Sequence, residues 1–192
     1  PMSRLVQGDD GSGKTMVAAA AACSAAKNGA QVAHMAPTEL LARQHYERLA
    51  PMLGALGISC GLLVGSMTPK QKAQCREALQ AGTIDLIVGT HALFSEATVF
   101  KRLGLVIADE QHRFGVAQRA ALLRKGEQPH LLIMSATPIP RTLALFLYGD
   151  LDVSVIDELP PGRQKVDTFL VDERYRRRLN AFIRKQADEG HQ

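Results

Sequence analysis

Long apolar runs are missing from this chain. None approaches the roughly 20 residues that a membrane-spanning helix needs, and the Ala-rich stretch 18–26 is both too short and preceded by a phosphate-loop pattern. The opening residues carry no signal-peptide pattern. Cysteine is scarce: Cys23, Cys60 and Cys75 stand far apart without metal-ligand spacing. That argues against a disulfide framework or a cysteine-held zinc and points to free thiols in a reducing compartment, so a cytoplasmic location is expected. Repeats and low-complexity tracts are absent. So is any large excess of one charge: the net charge is +4 and the isoelectric point about 9.2. This mild basicity permits a polyanionic partner without naming one.

What is present is an ordinary globular balance, with 46% hydrophobic and 22% charged residues in 192. That is enough for one domain with a good core, or one domain and part of another. Short Val/Ile/Leu runs at 4–7, 31–35, 58–63, 84–88, 105–108, 131–134 and 153–156 read as strands. Helical segments lie between several of them, over 14–27, from Thr38, and over 69–80. Gly29 is placed to close the first helix in a left-handed conformation, and Pro69 suits a first-turn position. Many strands are apolar without alternation, as expected for strands buried on both faces of a parallel sheet. The alternation of strand and helix predicts a doubly wound, mostly parallel α/β domain.

The segment Glu158-Leu-Pro-Pro-Gly-Arg163 reads as a linker, because two prolines and a glycine stop regular structure. A strand over 166–171 and a polar helix from about Asp172 to Ala187 are predicted beyond it. The expected division is a nucleotide-binding lobe over 1–157, then a linker and the truncated start of a second lobe over 158–192.

Two motifs carry the chemistry. Gly8-Asp9-Asp10-Gly11-Ser12-Gly13-Lys14-Thr15 fits G-x-x-x-x-G-K-[ST] between a strand and a helix. Glycines there let backbone N–H groups turn inward around a phosphate, and the helix aims its N-terminus at the same anion. Lys14 can reach the outer phosphates and Thr15 can ligate Mg²⁺. The alternative is a Gly-rich turn that matches by chance. The second motif, Leu105-Val-Ile-Ala-Asp109-Glu110, is an apolar strand ending in two carboxylates. In nucleotide hydrolases the first such acid holds the Mg²⁺ shell and the second polarises the attacking water. The carboxyl end of a buried strand is also where α/β sheets bind ligands. Its alternative is a solvated acidic turn. Together the two motifs indicate a nucleotide hydrolase. A kinase or small GTPase fits poorly, since no Asn-Lys-x-Asp guanine motif is present.

Asp109-Glu-Gln-His112-Arg-Phe-Gly115 and Ser135-Ala-Thr137-Pro-Ile-Pro-Arg141-Thr142 narrow the class. Both resemble motifs of the superfamily 2 helicases, and within them the RecG-like DNA helicases. The resemblance extends to Arg4–Gly8, Ala36–Ala42, Gly89–Leu93 and Val155–Arg163. The transcription-repair coupling translocases share the Ala-Thr-Pro-Ile-Pro-Arg-Thr run but tend to carry Gly-Phe-Gly-Lys and Asp-Glu-Glu-His. Gly11-Ser-Gly-Lys14 and Asp109-Glu-Gln-His112 favour the RecG-like branch.

The resemblance implies a RecA-like motor lobe of an ATP-dependent DNA helicase, with ATP and Mg²⁺ as cofactors and branched or forked DNA as partner. Gly8, Gly11, Ser12, Gly13, Lys14 and Thr15 would cradle the nucleotide, with Thr15 and Asp109 at the metal, Asp109 partly through water. Glu110 would be the general base. Gln111 and His112 would sit between nucleotide and adjoining lobe. Ser135, Ala136 and Thr137 would link hydrolysis to DNA movement. Pro37, Thr38 and Glu39, with Gly89, Thr90 and His91, would lie along a DNA strand, gripping phosphates without reading sequence. For Thr38 and Thr90 the alternative is a helix N-cap.

His34 and His45 match no catalytic motif and read as a strand histidine and an exposed helix histidine. Arg174, Arg176, Arg177 and Arg178 read as a solvated helix face, with a DNA contact as the alternative. Asp10 departs from the resembled loops, which usually carry valine. A second carboxylate beside Asp9 would cost triphosphate binding on the order of 1 kcal/mol or more, unless it faces solvent or meets a cation.

The resemblance further implies a second RecA-like lobe with arginines that complete the ATP site, an adenine-recognising segment before Pro1 and an N-terminal wedge domain for branched DNA. The 192 residues include none of these, so the chain by itself is expected to hydrolyse ATP very slowly and to unwind nothing. A different class remains as the alternative: a nucleotide- or DNA-binding module without hydrolysis.

Overall fold

The structure is a computed structural model, and it describes residues 1–109, 121–136, 151–158 and 168–190. The chain divides into two compact units, Pro1–Pro160 and Pro161–Gln192.

In the first unit, seven strands among the described residues form one sheet: β1 (Ser3–Gly8), β2 (Gln31–Met35), β3 (Cys60–Leu63), β4 (Leu86–Gly89), β5 (Leu103–Asp109), β6 (His130–Ser135) and β7 (Asp152–Ile156). Their order is β3-β4-β2-β5-β6-β1-β7, and every pairing is parallel. Parallel neighbours need crossovers. Helices α1 (Lys14–Lys27), α2 (Glu39–Gly54) and α3 (Pro69–Ala81) lie within three of them.

The central strands β2 and β4 are buried throughout, which is why they lack polar–apolar alternation. Period-2 geometry divides their side chains between two cores. Val6, Val32, Val88, Leu105 and Ile107 pack with Ala18, Ala19 and Ala22 of α1 and Ala42, Leu49 and Leu53 of α2. Leu5, Ala33, Met35, Ile87, Val106, Ala108 and Ile133 pack with Leu79 of α3 and with Leu93 and Leu122. The alanines of α1 are small enough to let that helix lie close against the sheet.

Local chemistry fixes the helix ends. The Thr68 hydroxyl and the Gln71 side chain form a reciprocal capping box at α3, with Pro69 in its first turn. Thr38 caps α2 by accepting from the Leu41 N–H. After α1, Gly29 takes a left-handed φ of 72°, as expected from the sequence.

In the second unit, Glu173–Tyr175 form a short 3-10 turn that runs into α4 (Arg176–Asp188). Of the strand predicted over 166–171, residues 168–171 form no ladder, and 166 and 167 lie outside the described residues. A strand exists only by hydrogen bonding to a neighbour, and the apolar residues Phe169 and Leu170 lie exposed without one. The proposed linker after Glu158 lies outside the described residues.

Candidate active site

At the end of β1 the chain turns through a loop in which Gly11 and Gly13 take φ values of 81° and 96°. A side chain would strain both positions. Gly13 precedes the first turn of α1 directly, so that turn presents N–H groups lacking intrahelical acceptors. Lys14 folds back over the loop, its ammonium donating to the carbonyl oxygens of Gly8 at 2.7 Å and Asp9 at 2.8 Å. Asp9 also accepts from the Asp10 N–H. The Asp10 carboxylate points outward, 89% exposed and 3.9 Å from the Lys14 ammonium. Both circumstances that would relieve its penalty on phosphate binding are therefore met, and the cation it approaches is the loop lysine itself.

Asp109 ends β5. Because β6 lies between β5 and β1, Asp109 stands level with Val6, about 10 Å away at the usual strand spacing, at the same carboxyl edge from which the loop leaves β1. Its carboxylate does not stand alone: Oδ2 is 2.8 Å from His45 Nε2. Behind it, the His34 ring lies 4.7 Å from that of His45, tilted by 35°. His45 is thus not the exposed helix histidine expected from the sequence. Its side chain is only 12% exposed, because residues 42, 45, 49 and 53 share one stripe of α2, and Ala42, Leu49 and Leu53 are buried. That spacing was visible in the sequence and could have placed His45 inside. His34 is fully buried, and burial, reinforced by the neighbouring His45, pushes its pKa down to about 3 against the opposing pull of Asp109. It is neutral at ordinary pH.

The remaining candidates gather at the carboxyl ends of the neighbouring strands. Pro37, Thr38 and Glu39 follow β2; Gly89 ends β4, and Thr90 and His91 follow it. The Thr38 hydroxyl is committed to its cap. The Thr90 hydroxyl caps nothing and is buried with no hydrogen-bond partner. Glu39 accepts from Arg43 at 2.9 Å and from both the backbone N–H and the hydroxyl of Ser66. The Ser66 hydroxyl first, then Arg43, hold its carboxyl below the usual glutamate range. Sequence reasoning missed Ser66, which joins the β3–α3 loop to the start of α2 across 27 residues. No motif marks it.

Ser135 ends β6, buried beside β1 and in register with Gln7, and Ala136 follows it. Glu110, Gln111, His112 and Thr137 lie outside the described residues.

A family model described as DEAD/DEAH box helicase matches residues 2–146. The chain belongs to that family. Among curated helicases it is 52% identical over 193 residues to the ATP-dependent DNA helicase RecG of Aquifex aeolicus, covering all of this chain and 24% of that protein. To RecG of Escherichia coli strain K12 it is 57% identical over 177 residues, covering 90% of this chain and 26% of that one. The solved structure of RecG bound to a three-way DNA junction superposes with a TM-score of 0.83 at 47% identity, over 99% of this chain and 25% of that one. The chain therefore spans about a quarter of the length of the relatives it matches.

For a helicase lobe, the loop fits a nucleotide phosphate on its own geometry. The Ser12 hydroxyl is buried with no hydrogen-bond partner, and a Cβ on Gly8 would stand only 2.5 Å from it. Such close approach of backbone and an uncommitted donor suit an anion. A separate cavity of about 1440 Å³ opens beside the end of α1 and the start of β5, lined by Asn28, Lys101, Arg102 and Arg124 among others. It is at the opposite end of the strands and contains none of the described candidate residues. No helix among the described residues is long and apolar enough to cross a membrane.

Proposed function

We propose that this chain is the ATP-binding motor lobe of a RecG-like DNA helicase, coupling hydrolysis to translocation on and remodelling of branched DNA. The observation that carries this reading is that the phosphate loop follows β1 and Asp109 ends β5, with a single strand between the two. The junction-bound RecG relative supports the choice of DNA.

In this reading Lys14 exchanges the carbonyls of Gly8 and Asp9 for the outer phosphates of ATP. The N–H groups of Gly11, Gly13, Lys14 and Thr15, with the uncommitted Ser12 hydroxyl, cradle the phosphates. Thr15 and Asp109 would hold Mg²⁺, Asp109 partly through water, and Gln111 would contact the nucleotide. When bound, the metal neutralises charge that builds on the phosphate oxygens. Glu110 takes the proton of the attacking water and His112 completes the catalytic set on the side of the adjoining lobe. Ser135, Ala136 and Thr137 transmit the change to the DNA side. There Pro37, Thr38, Glu39, Gly89, Thr90 and His91 line one strand. With the Thr38 hydroxyl engaged in its cap, its contribution to a phosphate comes through backbone, whereas the hydroxyl of Thr90 is uncommitted.

The lobe over 1–157 works against a second RecA-like lobe, begun within 158–192, whose arginines complete the ATP site. An arginine supplied in this way raises rates by orders of magnitude in related hydrolases. We read the setting as bacterial cytoplasm, at the nucleoid, a reading that the bacterial RecG relatives support.

The test is ATPase rate, with and without forked DNA, for this chain and for one extended through the second lobe. Turnover and DNA stimulation only in the longer chain are expected. If neither hydrolyses ATP, a nucleotide-binding module without hydrolysis takes the lead.

A further inference from the structure

The cluster behind Asp109 contains one residue that the nucleotide chemistry leaves unexplained. His34 is fully buried, and neither ring nitrogen has a hydrogen-bond partner. A neutral imidazole offers one donor and one lone pair, and leaving both unused in a core is costly enough to require a reason.

The topology supplies one. Period-2 geometry puts His34 on the same face of β2 as Val32, and Asp109 on the same face of β5 as Leu105 and Ile107. The two strands are neighbours, with Met35 paired to Ala108. His45 descends onto that face from the buried stripe of α2. One ligand atom from each of His34, His45 and Asp109 lies within 4.8 Å of the other two. Two imidazoles and a carboxylate are the donor set of three-ligand zinc centres, which keep a fourth position open. Nitrogen donors favour Zn²⁺, Co²⁺ or Ni²⁺ over Mg²⁺. Bonds of about 2.0–2.1 Å require donor atoms roughly 3.4 Å apart in a tetrahedron, so side-chain movements of about 1 Å close the site. Asp109 and His45 retain 16% and 12% exposure, which provides an entry path.

We propose that His34, His45 and Asp109 form a binding site for a borderline transition-metal ion such as Zn²⁺, and that capture there withdraws Asp109 from the nucleotide-associated Mg²⁺. Binding requires a bare His45 Nε2. Any proton it shares with Asp109 moves to Nδ1 or is released to solvent. The metal-binding half stands on the geometry alone; the withdrawal half rests on the role proposed for Asp109.

The experiment titrates the chain with Co²⁺ and follows visible d–d absorption, which is intense for four-coordinate and weak for hydrated Co²⁺. One equivalent is expected to give intense bands that Zn²⁺ displaces. His34→Leu fills the same buried space with an apolar side chain, and circular dichroism confirms its fold. In it the bands should disappear and Zn²⁺ affinity should fall at least tenfold. His45→Asn should behave likewise, while His130→Gln should retain the bands. The proposal is overturned by the absence of bands, by bands that survive His34→Leu, or by thiolate-to-cobalt charge transfer, which would assign the ion to cysteine. A second arm measures the affinity of a fluorescent ATP analogue in Mg²⁺ with and without one equivalent of Zn²⁺. Weakened nucleotide binding is expected, and only when His34 is present. Zn²⁺ bound through His34 with unchanged nucleotide affinity would keep the site and remove Asp109 from the Mg²⁺ shell.

Discussion

Gln31 ties four backbone groups together with one side chain. Its amide nitrogen donates to the carbonyls of Leu79 and Ile84, and its oxygen accepts from the N–H groups of Lys101 and Arg102. The residue is buried, so Gln31→Leu strands donors and acceptors that water cannot easily reach. A loss of about 3 kcal/mol is expected, read as a lower urea midpoint at unchanged slope. His34 makes stability depend on pH. The unfolded chain takes up a proton on this residue near pH 6.5, while the fold refuses it until about pH 3. The contribution is therefore intact above pH 6.5 and drains away as pH falls between those values, at up to about 1.4 kcal/mol per pH unit. His34→Leu should flatten that part of the stability profile. An unchanged slope in urea unfolding at pH 6.5, 5.5 and 4.5 would assign the acid lability elsewhere. Asp10 belongs to the same scale. Exposed as it is, its pairing with Lys14 is worth at most about 1 kcal/mol, so Asp10→Val should change nucleotide affinity less than about fivefold. A much larger gain in a nucleotide titration would mean that the carboxylate turns into the phosphate loop.

At the scale of elements, the end of β4 is the most constrained point near the proposed DNA edge. A Cβ on Gly89 would sit 2.4 Å from the Leu63 carbonyl oxygen of β3 and 3.0 Å from Leu93. Backbone cannot retreat as a flexible side chain does, so Gly89→Ala should separate β3 from β4 and cost about 1–3 kcal/mol. A drop in thermal midpoint together with weaker single-strand binding would show it, and a neutral outcome would mean that β3 yields. The parallel sheet was legible in the sequence because β2, β4 and β5 are apolar runs, and α1 began and ended where the pattern placed it. Strand starts were less legible. Strands expected from residues 58 and 84 begin at Cys60 and Leu86. There the side chains of Ser59 and Asp85 bond each other and the nearby backbone, taking groups a ladder would use. The phosphate loop was legible because spacing alone defines it. The His45–Asp109 contact was not, because it depends on which residues of a helix face a strand 64 positions away.

At the scale of the whole molecule, the second compact unit is rich in exposed apolar side chains. Phe169, Leu170, Leu179, Phe182 and Ile183 are all exposed, Phe182 by 58% and Ile183 by 54%. On α4, residues 179, 182 and 183 fall on one face. A helix that forms part of a larger fold presents such a stripe to its own core, and the proposed second lobe is that core. The double substitution Phe182→Ser, Ile183→Ser separates the two settings. In this chain the side chains already meet water, so unfolding should shift by about 0.5 kcal/mol or less. In a chain extended through the second lobe the same pair would be buried, and several kcal/mol should be lost, together with the DNA-stimulated ATPase. Equal, small effects in both chains would mean that α4 remains at the surface of the complete motor, and the second lobe would then have to begin elsewhere.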